Sequence, residues 1–192
     1  MITAYRPRIL EHLRSLMAPL PVARVLDFGS GDGYFASETS RLPQVTQLVP
    51  VDVVARPHSL VTPQLYDGAR LPFADASFDL AYAVDVLHHC PDPLAAIDDM
   101  ARCSSRYLLI KDHTYATAAG RWTLAVLDEL GNRRFGIPSP YRYQHGWRWV
   151  EHIESQGWTR IALIRPLECH SGLLGWATNR LQWIGLWERR GT

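Results

Sequence analysis

Glycines at alternate positions, flanked by acids and followed far downstream by histidines, mark where this chain could do chemistry. Gly29, Gly31 and Gly33 stand in Val25-Leu-Asp-Phe-Gly-Ser-Gly-Asp-Gly-Tyr-Phe-Ala36, directly after an apolar run that carries Asp27. Glycines so placed let a backbone turn sharply off a strand and approach a ligand with no Cβ in the way. The spacing is G-x-G-x-G, whereas the dinucleotide fingerprint is G-x-G-x-x-G; Tyr34 fills the position of its third glycine. Asp52 follows at about the distance where an acid holds a ribose, and a carboxylate accepts hydrogen bonds from both vicinal hydroxyls. Histidine as a side-chain type changes charge near neutral pH, which makes His88, His89, His113 and His145 chemical candidates for taking a proton from an acceptor.

These residues need elements to position them. Ile9, Leu10, Leu13, Leu16 and Met17 share one face of a helix predicted over Arg6 to Met17, before Pro19 and Pro21. Val22 to Phe28 reads as a strand covered on both faces, and Tyr34 to Leu42 as a helix. Val45 to Val54 reads as a second strand, with Pro50 awkward inside it. Gln64 to Tyr66 is a short third strand, Phe78 to Val86 a fourth, Pro93 to Cys103 a helix and Tyr107 to Lys111 a fifth strand. This alternation predicts an α/β fold: a Rossmann-like, doubly wound, mostly parallel sheet with helices on both faces. Beyond it, Arg121 to Leu130 and Gly146 to Gln156 read as helices. Arg160 to Leu167 and Leu181 to Arg189 read as strands joined by too little chain for a helical crossover, so an antiparallel strand is expected near the C-terminus.

At 192 residues without a linker or repeat, residues 1–192 are read as a single domain. Twenty Lys and Arg balance nineteen Asp and Glu, so no electrostatic case exists for nucleic acid or an anionic membrane surface. The pairs Arg133-Arg134 and Arg189-Arg190 are taken as solvated surface. Cys90, Cys103 and Cys169 are an odd, widely spaced set that fits neither a disulfide framework nor a zinc pattern. With no signal-peptide design and no apolar run of about 20 residues, a cytoplasmic location is expected.

Taken together, the glycine loop, Asp52, Leu71-Pro72-Phe73 and Ser77-Phe78-Asp79-Leu80 running into Asp85-Val-Leu-His-His89 form an ordered series. Over residues 22–112 the chain resembles the class I S-adenosylmethionine-dependent methyltransferases of the small-molecule, type 11-like group. That resemblance implies S-adenosyl-L-methionine as cofactor. Gly29, Gly31 and Gly33 would pass beside its methionine and ribose, with Asp27 ordering the loop or meeting the amino group through water. Asp52 would bind the ribose hydroxyls; Asp67, Gly68 and Ala69 would meet the adenine. Asp85 would lie near the methionine end and the acceptor. Pro50 departs from the small residue that often precedes the ribose acid.

Methyl transfer from a sulfonium is a direct displacement whose electrophile is already activated, so the protein's task is mainly alignment. A base helps only where the acceptor must lose a proton. His89 and His113, at the ends of the fourth and fifth strands, are the candidates. A cation site from His88, His89, Asp112 and His113 can be drawn, but the spacing does not demand it and no metal is assigned. Residues 1–18 and 113–150 are expected to bind a small-molecule acceptor. All seven tryptophans follow residue 121; Trp147 and Trp149, with Tyr143, are the aromatic candidates for that pocket, while Trp183 and Trp187 are assigned to packing. The competing reading is a non-catalytic module that binds S-adenosylmethionine and acts through a partner. A nicotinamide-dependent enzyme is opposed by the glycine spacing.

Overall fold

β1 (Arg24–Phe28) is the centre from which the sheet grows, and its alternating side chains build a core on each face. The computed structural model describes residues 5–132 and 140–189. Around β1 lie α1 (Tyr5–Met17), α2 (Tyr34–Thr39), β2 (Gln47–Asp52), β3 (Gln64–Leu65), β4 (Phe78–Val84), α3 (Pro93–Cys103) and β5 (Ser104–Tyr115). There follow α4 (Ala118–Asn132), β6 (Gln144–His145), α5 (Arg148–Ser155), β7 (Trp158–Ile164), α6 (Gly172–Thr178) and β8 (Gln182–Arg189). Strand order is β3-β2-β1-β4-β5-β8-β7, with β6 on β5. β8 runs antiparallel to both its neighbours, and the other paired strands are parallel. The expected mixed, doubly wound sheet is therefore the observed one.

Leu26, Ala81, Leu108 and Trp183 face α3 and α5, which contribute Ile97, Met100, Trp149 and Ile153. Val25, Leu80, Leu109 and Ile184 face the opposite way, onto Ile9, Leu13 and Met17 of α1. Period-two alternation along each strand thus supplies both cores at once. Pro50 is tolerated for a local reason. Val51 turns its carbonyl to β1, accepting from Gly29 and Ser30, while Asp52 turns its own to Tyr66 beside β3. Position 50 faces the same side as 52, and β3 begins only opposite Val51, so the proline withholds no ladder bond.

Two elements escape the sequence reading, β6 and α6, both too short to carry a period. β5 also runs farther at both ends than Tyr107 to Lys111. Arg189 is exposed, as expected, and its guanidinium also lies 4.6 Å from the Trp158 ring and donates to the carbonyls of Ala101 and Ser104. Arg133, Arg134 and Arg190 lie outside the described residues. Among the described residues no helix is long and apolar enough to cross a membrane.

Candidate active site

β1 and β4 lie side by side, so their carboxyl ends form the switch point where open α/β sheets bind ligands. The glycine loop leaves β1 at this point, against the segment that leaves β4. A Cβ on Gly29 would come within 2.1 Å of Val86 Cγ2, and one on Gly33 within 2.3 Å of Val61 Cγ2. Gly31 differs: a Cβ there would meet nothing closer than the Arg56 guanidinium at 3.5 Å. The outer glycines are required by the protein's own packing, and the middle one leaves room for a ligand.

The two acids that flank this loop divide their work in an unexpected way. Asp52 Oδ2 accepts from the Gly31 amide at 2.8 Å, and its Oδ1 from Val53 at 2.8 Å, so Asp52 braces the loop. Asp27, only 2% exposed, meets the Tyr82 hydroxyl, and its Oδ2 has no partner among the described residues. Burial pushes the Asp27 carboxyl up to about 7. A buried carboxylate oxygen with no donor is costly unless a ligand completes it. The ammonium of an amino-acid ligand is a suitable completion. Asp67 sits exposed in a turn whose Ala69 amide donates to Oδ1, and those backbone bonds lower its pKa. Beside Gly68, the exposed Val53 side chain offers an apolar surface suited to a purine.

Past the loop lies a buried ionic cluster. Asp85, in left-handed backbone (φ 54°), follows β4 and accepts from Tyr5 Oη at 2.9 Å and Lys111 Nζ at 2.5 Å. Lys111, on β5 and wholly buried, also donates to Tyr5 Oη at 2.6 Å and Gln182 Oε1 at 2.7 Å. Burial opposes the ionised form of Asp85, but Lys111 and then His113 pull its pKa below the ordinary value. Tyr5 stacks on His170 with centroids 4.7 Å apart, so the first turn of α1 is fastened over this end of the sheet. Arg6 extends the fastening to the glycine loop, 2.7 Å from Asp32.

The histidines converge on the next residue of β5. Asp112 Oδ1 accepts from His88 Nδ1 at 2.6 Å, from the His113 amide at 2.7 Å and from His113 Nδ1 at 3.2 Å; Oδ2 accepts from Leu87. Burial opposes ionisation of Asp112, yet the His88 charge and the His113 bond hold its pKa well below the ordinary value. Burial likewise opposes the charged form of His88, but Asp112 and then Asp128 outweigh it and raise its pKa to about 10. His88 is therefore an imidazolium near neutrality. His113 is the reverse: burial, then the Lys111 charge, lower its pKa and keep the ring neutral. His88 Nε2 and His89 Nε2 lie 3.7 Å and 3.8 Å from Asp128 Oδ1 on α4, whose other oxygen accepts from Tyr143 at 3.0 Å.

This geometry brings together Asp85, His88, His89, His113 and Tyr143; the Tyr143 ring is 5.4 Å from that of His88 and 6.1 Å from that of His113. It does not bring Trp149. That ring is 5% exposed, on the inward face of α5 with Val150 and Ile153, and belongs to the core. Trp147 is half-buried, edge-on to Trp183 at 6.1 Å with Arg165 over it. Lys111 and Asp128 are missing from the sequence reading. A lysine inside an otherwise apolar strand was the available signal for the first; an acid on a helix face gives none for the second.

The comparisons with known proteins give the family. A family model described as a methyltransferase domain matches residues 2–171. The chain belongs to that methyltransferase family. Over 181 residues it is 39% identical to the ubiquinone biosynthesis O-methyltransferase of Xanthomonas campestris pv. campestris, covering 89% of this chain and 74% of that protein. Among solved structures, a putative methyltransferase from Bacillus halodurans matches with TM-score 0.68 at 16% identity, over 95% of this chain and 99% of that one. The N-methyltransferase NodS from Bradyrhizobium japonicum, in complex with S-adenosyl-L-homocysteine, matches with TM-score 0.63 at 16% identity, over 97% and 87% of the two chains. The protein is an S-adenosylmethionine-dependent methyltransferase. The loop fits that cofactor: Gly31 leaves space, Asp27 Oδ2 awaits a donor and Val53 supplies an apolar surface.

Proposed function

We propose that this methyltransferase acts on a hydroxyl oxygen of a small aromatic acceptor, with His113 as general base. The single observation that carries the proposal is the Asp112–His113 pair at the carboxyl end of β5, beside Asp85. His113 Nδ1–H donates to the Asp112 carboxylate, which leaves the lone pair of the neutral ring on Nε2. Such an oriented neutral imidazole serves an acceptor that must lose a proton, as a phenol does and a tertiary amine does not. The name of the Xanthomonas relative, an O-methyltransferase, supports the same choice of atom.

In this reading Asp27, the Gly29–Gly33 loop, Asp52, Asp67, Gly68, Ala69 and Asp85 hold the cofactor, which supplies an electrophilic methyl group. His113 Nε2 takes the acceptor's hydroxyl proton. The oxygen's electron pair forms the new C–O bond while the S–C pair stays with sulfur. Tyr143 and His89 line the acceptor side, and α1 with the described residues of 113–150 forms its walls; residues 1–4 and 133–139 of the expected acceptor segments lie outside the described residues. Trp147 and Trp149 act only by packing.

The test is turnover of labelled methyl donor with catechol-type and amine-type acceptors by the wild type and by His113→Gln. Transfer to hydroxyl oxygen that falls at least about 100-fold in kcat in the variant, with S-adenosylhomocysteine affinity intact, is expected. Equal turnover by the variant, or methylation of amines alone, overturns it.

A further inference from the structure

Beside the base lies a second constellation that methyl transfer by alignment does not need. His88 and His89, on the turn after β4, bring both Nε2 atoms to one oxygen of Asp128 on α4. Two of the three donors are held from behind. Asp112 fixes the His88 ring through Nδ1 at 2.6 Å, and Tyr143 fixes Asp128 through its second oxygen at 3.0 Å. The three donor atoms lie within 4.8 Å of one another.

The geometry points to a divalent transition-metal site formed by His88 Nε2, His89 Nε2 and Asp128 Oδ1. Two imidazoles and one carboxylate suit zinc, cobalt, iron or manganese ions better than magnesium, which favours all-oxygen sites. With bonds of about 2.1 Å, tetrahedral donors sit about 3.4 Å apart. The observed separations of 3.7 and 3.8 Å to Asp128 therefore need close by only a few tenths of an ångström. The Asp112–His88 pair is the carboxylate–histidine arrangement that orients metal ligands elsewhere. The alternative triad of His88, Asp112 and His113 is poorer, because Asp112 Oδ1 already accepts from both residues. Coordination at His88 Nε2 displaces its proton to solvent, so binding weakens as pH falls, and three protein ligands leave coordination positions open for oxygen donors. His89 is only partly buried, so the site has an approach from outside. The role of such a cation, to hold vicinal acceptor oxygens next to His113, rests on the oxygen-methylation reading; the site itself does not.

The untagged full chain, stripped with a chelator, is titrated with cobalt chloride and followed by visible absorption and calorimetry, without acceptor. The expected result is one saturable Co²⁺ per chain with ligand-field bands, displaced by Zn²⁺, and at least tenfold tighter than Mg²⁺. His89→Ala and Asp128→Asn should each weaken it at least tenfold. Circular dichroism and S-adenosylhomocysteine binding check that both variants are folded. Absence of saturable binding, or equal affinity in both folded variants, overturns the site. A catechol added to the cobalt-loaded protein separates the two ideas. A shifted band supports both, and an unmoved band supports the site while counting against oxygen methylation.

Discussion

With Asp27 in the proposed cofactor site, a single residue should couple cofactor binding to pH. Its carboxyl is pushed up to about 7 by burial, from an unfolded value near 3.8. A raised folded pKa means that its contribution to stability is full below about 4 and is lost as pH rises through about 7. At pH 8 the cofactor-free fold therefore holds a buried anion whose Oδ2 has no donor among the described residues, and Asp27→Asn should raise its melting temperature more there than at pH 5. The cationic donor favours the ionised form, so its binding should release a proton near neutrality. Affinity should then fall up to tenfold for each pH unit below about 7. Calorimetry of donor binding in two buffers of different ionisation enthalpy measures that proton; equal apparent enthalpies would refute the coupling. The aspartates also show what spacing can and cannot reveal. Position alone finds Asp27 and Asp52, but which one braces the loop depends on where the Gly31 amide points, a matter of three-dimensional backbone direction.

Elements whose ends carry their own chemistry are legible in the chain. α3 begins where Asp92 accepts from the Leu94 and Ala95 amides and Pro93 opens the first turn, so its predicted bounds match the observed ones. Asp92→Ala should cost about 1 kcal/mol, measurable as a drop of a few degrees in melting temperature. α5 shows the opposite. Trp149, Val150 and Ile153 already have the spacing of a buried helix face, but the tyrosine-rich chain before them invites a pocket reading. β8 carries a packing constraint of a different kind. Trp183, Gly185 and Trp187 lie on one face, and a Cβ on Gly185 would meet the buried Trp187 ring at 2.3 Å. Gly185→Ala should cost about 1–3 kcal/mol by overpacking, read from urea denaturation. An unchanged midpoint would mean that the ring has room to move.

At the scale of the molecule, the cofactor half is readable because β1, β2 and β4 follow one another closely and parallel pairing delivers their ends to one edge. The other side of the candidate site, where the acceptor is proposed to bind, is assembled from farther apart. Tyr5 meets Asp85 and Lys111, and Asp128 meets His88, only once α1 and α4 have packed against that edge. Nothing local in the sequence announces such pairs. Among the competing readings, the passive binding module is displaced by the family to which the chain belongs.

The fastening of α1 gives the reaction a sequence in time. Tyr5 is tied to Asp85 and Lys111, Arg6 is tied to Asp32, and together these ties span from the end of β4 to the glycine loop. One helical turn thus bridges the glycine loop, where the methionine and ribose are expected, and Asp85, expected at the methionine end. Exchange of spent cofactor for fresh should then require that turn to lift, with the acceptor entering on the Tyr143 side in the proposed reading. Product release, not methyl transfer, would set the turnover rate of a well-aligned enzyme built this way. Stopped-flow dissociation of S-adenosylhomocysteine should be several-fold faster in Tyr5→Phe with Arg6→Ala than in the wild type. An unaltered rate would mean that the cofactor leaves by another door.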